Sequence, residues 1–397
     1  MGMKNIKEKA EKYLINTYNR KPDTPLFLKG EGACLTDDEG NEYLDFLSGL
    51  GVNGLGHCHP QVVEAVTKQA SLLMHTSNLY YTEPQVELAA LLVENSALDK
   101  VFFSNSGAEA NEGAMKLARK YYREKGEDRY EIITFINSFH GRTMATLTAT
   151  GQEKYRQGFQ PLLPGIKYAR FNDLDSVLQL LTPQTCAVML EPIQGESGVY
   201  PADPVFLKNL KDLCLERDVL LIFDEVQCGL GRTGKLFAYE NYGVAPDILT
   251  LAKCLGGGLP IGAFLAREEV AAAFKPGDHA STFGGNPVAC AAGCAVLRTL
   301  LGGLLAEGRE KGEFFLAELK RIKSPLIKEI RGKGLMVGVE LKAGGKEIYR
   351  ALMEKRVLCN LINGTILRFL PPLIVDREEI ASVAGLLGRL LIEYAEN

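Results

Sequence analysis

The sequence contains no tryptophan and carries almost no net charge. Without tryptophan, the intrinsic fluorescence of the chain comes from its 15 tyrosines. The 45 lysines and arginines nearly balance the 49 aspartates and glutamates, which leaves a formal net charge of −4. Nucleic acids and anionic membranes attract proteins through an excess of basic residues. The composition therefore argues against a protein whose general task is to bind either.

The cysteines lack any pairing or metal-binding pattern. There are nine of them, an odd number, scattered along the chain and never spaced as CxxC. This usage favours neither a disulfide framework nor a zinc site, and it fits a reducing compartment. His57 and His59 flank Cys58, but an HxH pair without further ligands at metal spacing is a weak indication. We expect no metal site.

Signals for export or membrane insertion are also lacking. The longest apolar stretch, Val288–Leu297, is far shorter than the roughly 18 residues that span a bilayer. The N-terminal segment has no apolar run typical of a signal peptide, and Glu8 and Glu11 are unusual in a transit peptide. Ile6 stands where a myristoylation motif needs serine or threonine. We therefore expect a cytoplasmic protein.

What the sequence does contain is an alternation of short aliphatic runs and amphipathic helical patterns in its middle. This alternation is typical of a mostly parallel sheet covered by helices. After about residue 290 the pattern becomes strand, helix, strand, strand and helix, which indicates a smaller α+β unit. The length of 397 residues fits two or three domains. We predict a large α/β domain over residues 56–288 and a small discontinuous α+β domain formed by residues 1–55 and 289–397.

Individual elements follow from the same patterns. The predicted strands of the large domain are Val101–Phe103, Glu131–Ile136, Ala187–Leu190, Val219–Phe223 and Ile248–Leu251. The predicted helices include Ala108–Tyr122, Asp203–Glu216 and a long one at Ala289–Leu305. A strand-turn-strand pattern surrounds Asp37–Glu42. We expect this N-terminal part to pack with the C-terminal part.

A predicted helix after Ser106 is suited to binding an anion. A strand ends at Phe103, and Ser106 and Glu109 have the spacing of a capping box. The free N–H groups of Gly107 and Ala108, together with the helix dipole, favour an anion such as phosphate. Taken alone, the segment favours slightly a well-capped helix that binds nothing.

Asp224 directly follows five apolar residues, at the carboxyl end of a predicted strand where open α/β sheets bind ligands. A lone carboxylate there is costly unless it meets a cationic partner, although an aspartate that caps the next turn is the alternative. The same stretch contains Gly229-x-Gly231-x-x-Gly234, which matches the dinucleotide-binding fingerprint. Because Asp-Glu-Val-Gln intervenes and barely two helical turns follow, we interpret it as a tight glycine loop.

Lys253 lies at the end of another apolar strand and is followed by three glycines and a proline. Burial there would lower the pKa of its amine and suit it to covalent chemistry with a carbonyl carbon, whereas a lysine that reaches water is the ordinary alternative. An anion site, an acid and an amine are together the minimum set for holding pyridoxal 5'-phosphate. Lys253 would hold the aldehyde carbon, Asp224 would keep the pyridine nitrogen protonated, and Phe139 would stack on the ring.

Motifs in order along almost the whole chain resemble those of the class III aminotransferases. They are GLGHCHP (Gly54–Pro60), SNLYY (Ser77–Tyr81), NSGAEANE (Asn105–Glu112), SFHGRT (Ser138–Thr143), EPIQGE (Glu191–Glu196), DEVQCGLGRTGKLFA (Asp224–Ala238), LAKCLGGGLPIGA (Leu251–Ala263), STFGGNP (Ser281–Pro287) and LRFLPPL (Leu367–Leu373). The resemblance implies the pyridoxal-phosphate-dependent transferase fold of type I, with a large domain around a mostly parallel sheet and a smaller α+β domain.

The resemblance implies roles around the cofactor. Lys253 and Asp224 are the expected catalytic residues, and Lys253 also moves a proton as a general acid and base. Gln227 is expected near the ring hydroxyl. The expected cofactor-binding residues are Gly107, Ala108, Phe139, Asp224, Glu225, Val226, Gln227, Lys253 and Thr282.

The resemblance also implies substrate contacts and a partner. Arg142 and Arg368 are expected to clamp carboxylates, since a guanidinium binds a carboxylate in bidentate fashion. Glu196 is expected to pair with Arg368 and mask it when an ω-amine enters, and Ser281 to touch an acylated substrate. Thr282 is expected to complete the phosphate site of a neighbouring subunit, which implies a homodimer with its active site at the subunit interface.

Among the class III enzymes, the chain is most similar to those that act on N2-acetylornithine with 2-oxoglutarate as acceptor. Members that act on free ornithine typically carry tryptophan where His140 stands and a tyrosine near Leu50. Succinylornithine, ornithine, 4-aminobutyrate and acylated lysine or diaminopimelate derivatives remain alternative donors. A glutamate-1-semialdehyde aminomutase is a further alternative, although the string DEVQCG argues against it, and a binding protein that lost the chemistry is disfavoured by the intact lysine and aspartate.

Overall fold

The computed structural model describes residues 3–18, 20–21 and 23–396. Its helices are α1 (Met3–Tyr13), α2 (Ser48–Gly51), α3 (Pro60–Leu72), α4 (Glu83–Glu94), α5 (Gly107–Glu124), α6 (Met144–Ala149), α7 (Glu153–Arg156), α8 (Leu174–Leu180), α9 (Pro204–Glu216), α10 (Glu268–Ala271), α11 (Pro287–Thr299), α12 (Leu305–Arg321), α13 (Gly345–Glu354) and α14 (Arg377–Glu396). Short 3-10 turns lie at Ala238–Asn241 and Lys253–Gly256.

Seventeen strands are described. They are β1 (Phe27–Glu31), β2 (Cys34–Asp37), β3 (Glu42–Asp45), β4 (Lys100–Ser104), β5 (Glu131–Phe135), β6 (Ile166–Ala169), β7 (Thr185–Leu190), β8 (Ile193–Gln194), β9 (Tyr200–Pro201), β10 (Leu220–Asp224), β11 (Ile248–Leu251), β12 (Gly262–Ala266), β13 (Ile327–Lys333), β14 (Met336–Leu341), β15 (Val357–Leu358), β16 (Asn360–Ile362) and β17 (Ile366–Phe369).

A seven-stranded sheet forms the centre, in the order β4-β12-β11-β10-β7-β5-β6. β12 runs antiparallel to both of its neighbours, and the other pairings are parallel. β7, β10, β11 and β12 are buried along their whole length, which is why their sequences are continuous apolar runs rather than alternating ones. The mostly parallel α/β fold predicted from the sequence is confirmed.

The five strands predicted for the large domain are all present, with ends within two residues of the prediction. β6 and β12 were not predicted. β12 begins with a glycine, and a Cβ atom at Gly262 would lie 2.2 Å from the carbonyl oxygen of Ser106. The close approach of the two backbones requires a residue without a side chain, and this weakens the strand pattern in the sequence.

Two smaller four-stranded sheets lie outside the central sheet, and one of them joins the two ends of the chain. The strand-turn-strand pattern forms the antiparallel pair β2-β3, and β3 pairs in parallel with β15 from the C-terminal part. A second sheet has the antiparallel order β13-β14-β17-β16. The pairing of β3 with β15 supports a discontinuous small domain, and we retain its boundaries at residues 55 and 289 as a proposal.

The helical segment Pro287–Arg321 connects the central part to the C-terminal part and is kinked at Gly303, where φ is 131°. It is much longer than the predicted Ala289–Leu305, because a π-helical segment at Leu300–Leu304 joins α11 to α12. By length and composition alone it could cross a membrane, but 56% of its most apolar window is buried within the protein. α11 packs against α3 and α4, and α12 packs against α14. The helix is therefore built as a core element of the fold.

Candidate active site

A cavity of about 490 Å³ opens at the edge of the central sheet where its parallel strands end. Segments that follow β4, β5, β7, β10 and β11 form its walls, because the carboxyl ends of parallel strands meet at one edge. The sequence-predicted residues that line this cavity are Gly107, Ala108, Phe139, Arg142, Glu196, Asp224, Val226, Gln227 and Lys253.

The first turn of α5 faces this cavity. Ser106 is the N-cap, and its hydroxyl accepts a hydrogen bond of 3.2 Å from the backbone N–H of Glu109. The first N–H groups of a helix have no partner within the helix, and those of Gly107 and Ala108 lie in the cavity wall. A Cβ atom at Gly107 would lie 2.7 Å from a methyl group of Val226, so this position requires glycine. The turn is suited to hold a phosphate.

Asp224 is buried at the end of β10 and is held by three donors. His140 Nδ1 and Asn111 Nδ2 lie 2.7 and 2.8 Å from its Oδ2, and the backbone N–H of Val226 donates to Oδ1 at 3.0 Å. The amide of Asn111 is itself oriented by Thr250, whose hydroxyl donates to it at 2.7 Å. Oδ1 accepts this one hydrogen bond, and a carboxylate oxygen can accept a second, for example from a protonated ring nitrogen. Sequence reasoning did not identify Asn111 or assign this role to His140.

Lys253 follows β11 and adopts a left-handed backbone conformation with φ of 45°. A non-glycine residue in this conformation costs free energy, and such positions cluster at functional sites. Burial lowers the pKa of its amine, and the nearby charge of Glu196 only partly opposes this effect. Lys253 therefore combines a reactive amine with a position in the cavity wall.

Glu191 is a further acid in the cavity wall that the sequence analysis did not single out. Its carboxylate accepts backbone hydrogen bonds from Phe139 at 3.0 Å and from Gly195 at 3.3 Å. Burial raises its pKa to about 7. Glu191 therefore fixes the backbone of the aromatic residue expected to stack on the cofactor ring.

Glu225 does not lie where the sequence analysis expected it. Its carboxylate accepts hydrogen bonds from the backbone N–H groups of Ala238 at 2.5 Å and Tyr239 at 2.7 Å, and the side chain does not line the cavity. Burial raises its pKa to about 8. The geometry contradicts a cofactor contact through this side chain and assigns it to the 3-10 turn that follows the glycine loop. Among the described residues, no long helix directly follows Gly229–Gly234, and the backbone N–H groups of Arg232 and Gly234 donate to the carbonyl oxygens of Gly229 and Gly231 at 3.3 and 3.0 Å, so the predicted tight loop is present.

Arg368 is fully buried behind the cavity wall on β17. Its Nη1 lies 2.8 Å from Glu196 Oε1 and 3.0 Å from both Gln227 Oε1 and the carbonyl oxygen of Gly195. Gln227 also donates to Glu196 at 2.9 Å. The pairing of Glu196 with Arg368 expected from the sequence is therefore present.

Arg142 stands at the mouth of the cavity and is supported by aromatic rings. Its guanidinium carbon lies 3.9 Å from the ring centroid of Tyr155 and 5.5 Å from that of Phe139. The two rings meet edge to face, with centroids 6.0 Å apart. Stacking on an aromatic face leaves the edge of a guanidinium free to bind a carboxylate. The contribution of Tyr155 was not apparent from the sequence.

Ser281 and Thr282 lie outside this cavity. Asn105, which is in the cavity wall, donates from Nδ2 to the hydroxyl of Ser281 at 3.2 Å. Thr282 is exposed and lines a separate pocket with Asn78 and Gln85. Within one chain, the structure therefore does not bring Thr282 to the expected phosphate site.

These residues together fit pyridoxal 5'-phosphate. The N-terminus of α5 matches its phosphate, the carboxylate of Asp224 matches a protonated ring nitrogen, and the amine of Lys253 matches its aldehyde. Across the described parts of the chain, no group of three or more histidine, cysteine, aspartate or glutamate side chains is arranged to hold a metal ion.

Comparisons with known proteins agree with this geometry. Residues 17–391 match the family model of class III aminotransferases. The acetylornithine aminotransferase of Caldanaerobacter subterraneus subsp. tengcongensis is 56% identical over 388 residues, which cover 96% of this chain and 98% of that protein.

Solved structures give the same result. The acetylornithine aminotransferase of Elizabethkingia anophelis has a TM-score of 0.87 at 35% identity, covering 98% of this chain and 99% of that one. An ornithine aminotransferase of Toxoplasma gondii, described with partial occupancy of PLP at its active site, has a TM-score of 0.94 at 35% identity, covering 100% and 96%. The chain belongs to the class III aminotransferases, a family of pyridoxal-phosphate-dependent transaminases.

Proposed function

We propose that the protein transfers the terminal amino group of N2-acetylornithine to 2-oxoglutarate, which gives N-acetylglutamate 5-semialdehyde and glutamate, a step of arginine biosynthesis. The observation that carries the proposal is the convergence of Lys253, Asp224 and the N-terminus of α5 on one cavity. The choice of donor is supported by the relative from Caldanaerobacter, which bears the name acetylornithine aminotransferase at 56% identity.

The chain's own residues divide the chemical work. Pyridoxal 5'-phosphate, when bound, supplies a ring that accepts the electrons released at the substrate's amine-bearing carbon. Asp224, held by His140 and Asn111, keeps a proton at the ring nitrogen, so that the ring remains an electron acceptor. Lys253 Nζ, whose pKa burial lowers, takes up and returns a proton as general base and acid.

Arg142 and Arg368 bind the carboxylates of the substrates. Arg142, at the mouth of the cavity, binds the carboxylate of the incoming donor. Arg368 stays masked by Glu196 while the terminal amine of the donor reacts. When glutamate or 2-oxoglutarate enters, Glu196 yields Arg368 to the α-carboxylate, so one cavity serves two dissimilar substrates.

The chain acts as a homodimer in the cytoplasm in this proposal. Large apolar side chains are exposed close to Thr282: Phe283 is 60% exposed, Leu79 is 86% exposed and Tyr81 is 96% exposed. Asn78 connects their segments, since it donates to the carbonyl oxygens of Ser281 and Gly284 at 2.9 and 2.8 Å. An apolar surface of this kind is typical of a subunit interface. A second copy docked there would bring Thr282 to the phosphate site of its partner.

A second candidate donor is free ornithine, because the Toxoplasma enzyme of nearly identical fold is an ornithine aminotransferase. The two donors differ in the charge at the α-nitrogen, which acetylation removes. A test with both substrates separates them.

The test is an absorbance spectrum of the holoenzyme before and after addition of N2-acetylornithine without a keto acid. We expect the visible band of the bound cofactor to disappear and to return when 2-oxoglutarate is added. Disappearance with ornithine or 4-aminobutyrate but not with N2-acetylornithine would reassign the donor. A Lys253→Ala variant is the control. It should not convert N2-acetylornithine and 2-oxoglutarate to products.

A further inference from the structure

Arg232 is a buried cation that the proposed mechanism does not use. Its side chain is 3% exposed, and burial lowers its pKa to about 10, so it remains charged at neutral pH. Among the described residues its side chain donates to no carboxylate, and its buried Nη2 has no hydrogen-bond partner. Its Nη1 instead donates to two carbonyl oxygens, that of Leu335 at 3.1 Å and that of Pro371. Burying a guanidinium from which only carbonyl oxygens accept hydrogen bonds costs folding free energy. The contacts of Arg232 indicate which part of the site this arginine supports.

The two carbonyls belong to the strand pair that carries Arg368. Leu335 directly precedes β14, and Pro371 follows β17 by two residues. β14 and β17 are hydrogen-bonded neighbours, in the register that places Gly338 opposite Arg368. Arg232 thus holds the start of one strand and the end of the other.

The backbone around Arg232 reinforces this connection. The N–H of Leu335 donates to the carbonyl oxygen of Arg232 at 3.0 Å. A Cβ atom at Gly334 would lie 2.6 Å from the carbonyl carbon of Thr233 and 2.7 Å from the carbonyl oxygen of Arg232. The glycine loop and the start of β14 are therefore in direct backbone contact.

Arg232 and Gln227 lie on the same segment after β10. Gln227 contacts Arg368 at 3.0 Å, and Arg232 contacts Pro371, three residues further along from Arg368. The segment is thus attached to the β17 region at two points. The Gln227 contact involves the side chain of Arg368 itself, whereas the Arg232 contact fixes the backbone that carries it.

From this arrangement we infer that Arg232 is a positioning residue for the carboxylate clamp formed by Arg368. The inference rests on the proposed function. The half-reaction with 2-oxoglutarate therefore depends on Arg232 more than the half-reaction with the amino donor does. When Glu196 releases Arg368, the clamp loses one of its side-chain contacts. The bonds from Arg232 to Leu335 and Pro371 then keep β17 in place for an α-carboxylate.

The experiment measures the two half-reactions separately in an Arg232→Met holoenzyme. Methionine preserves much of the volume but leaves both carbonyls without their donor. We expect the KM for 2-oxoglutarate to rise roughly tenfold, while the donor half-reaction stays within about twofold of the unchanged protein, because misplacing a clamp weakens mainly the substrate it binds. Arg232→Lys, which retains one donor, should recover part of the affinity for 2-oxoglutarate.

Arg129→Met is the matched control. Arg129 also donates to two backbone carbonyls, those of Arg217 and Asp218, and does not line the cavity, although it additionally pairs with Glu127 at 2.7 Å. This variant is expected to lower stability without separating the two half-reactions. Equal slowing of both half-reactions in Arg232→Met, or an unchanged KM for 2-oxoglutarate, overturns the inference.

If Arg232→Met does not fold, the same comparison in Arg232→Lys decides, and equal slowing of both halves there overturns the inference as well. The proposed function is tested independently, by the absorbance measurement on the wild-type protein. If that protein uses a donor other than N2-acetylornithine, the half-reactions are measured with that donor, because Arg368 is assigned to the acceptor.

Discussion

Glu196 Oε1 lies 2.8 Å from Arg368 Nη1, and Gln227 donates to the same carboxylate oxygen at 2.9 Å. Burial alone would raise the pKa of Glu196, but the charges of Arg368 and Lys253 and the hydrogen bonds outweigh it and lower the pKa to about 2. The Glu196 side chain is therefore a carboxylate at neutral pH. In the proposed mechanism, Glu196 blocks the approach of a carboxylate to Arg368 from the cavity.

Replacement of Glu196 by alanine is expected to shift the preference between the two half-reactions. Arg368 would lose its mask, so the KM for glutamate should fall roughly tenfold and the reaction with the ω-amine donor should slow. Glu196→Gln, which keeps the size but not the charge, should shift the preference in the same direction and less far. The rates with the ω-amine donor and with glutamate are measured by the spectral change. If the ratio of the two rates is the same in Glu196→Ala as in the wild-type protein, Glu196 does not mask Arg368.

Asp224 and Glu225 are adjacent buried acids with different expected roles, and they form a matched pair. Asp224→Asn should lower kcat by on the order of 10²–10⁴-fold, because the ring nitrogen loses its proton-holding partner. Glu225→Gln should leave kcat within a fewfold and lower the free energy of unfolding by about 1–3 kcal/mol, since it weakens the acceptor for Ala238 and Tyr239. Steady-state kinetics and denaturant unfolding of both variants test this division, and a large loss of kcat in Glu225→Gln would contradict it.

Glu225 also predicts a pH dependence of stability. Its pKa is raised from 4.5 to about 8 by burial, so the unfolded chain ionises this group more readily than the folded one. The contribution of Glu225 is fully present below pH 4.5 and is lost as the pH rises through 8. As the pH rises from 5 to 8, the free energy of unfolding of the wild-type protein should therefore fall relative to that of Glu225→Gln. Unfolding midpoints at three pH values measure it, and a constant difference would refute the assignment.

Tyr155 is expected to support substrate binding through Arg142. Tyr155→Leu removes the ring on which the guanidinium lies, at a distance of 3.9 Å. A cation–π contact at an exposed site contributes about 0.5–1 kcal/mol, so the KM for the donor should rise roughly 2- to 5-fold with little change in kcat. Tyr155→Phe keeps the ring and serves as the control. A rise of KM in both variants would assign the effect to the hydroxyl instead.

The proposed dimer is tested at Phe283. A charge at this exposed apolar position should weaken the interface by about 2 kcal/mol or more, as is typical of a central aromatic residue. Phe283→Glu is therefore expected to shift the protein towards monomers and to lower cofactor affinity, because Thr282 is withdrawn from the partner. Leu215→Glu, at a 61% exposed position on α9, should leave the assembly unchanged. Analytical ultracentrifugation measures the oligomeric state of both variants. A wild-type protein that is monomeric and active would disprove the dimer.

Several parts of the site were predictable because they depend on local patterns. Asp224 and Lys253 each follow an apolar strand, and parallel strands end at one edge of a sheet, so recognising the strands was sufficient to bring the two residues together. Gly107 and Ala108 follow a capping serine, which marks the start of a helix from sequence alone. These inferences need only neighbours within a few residues.

Other parts depended on contacts between distant segments. The bond between His140 and Asp224 joins residues 84 positions apart, and Arg232 reaches Pro371 across 139 positions. The position of Thr282 away from the cavity of its own chain likewise follows from the packing of the whole fold.

The sequence by itself determined the family motifs, the strand-and-helix alternation and the acid and amine at the strand ends. The tertiary structure alone decided which buried side chains face the cavity. Asp224 and Glu225 are adjacent acids of the same motif, yet one lines the cavity and the other binds the turn at Ala238. The physical reason is that a buried carboxylate turns to whichever donors the fold provides, and those donors are brought close only when the chain has packed.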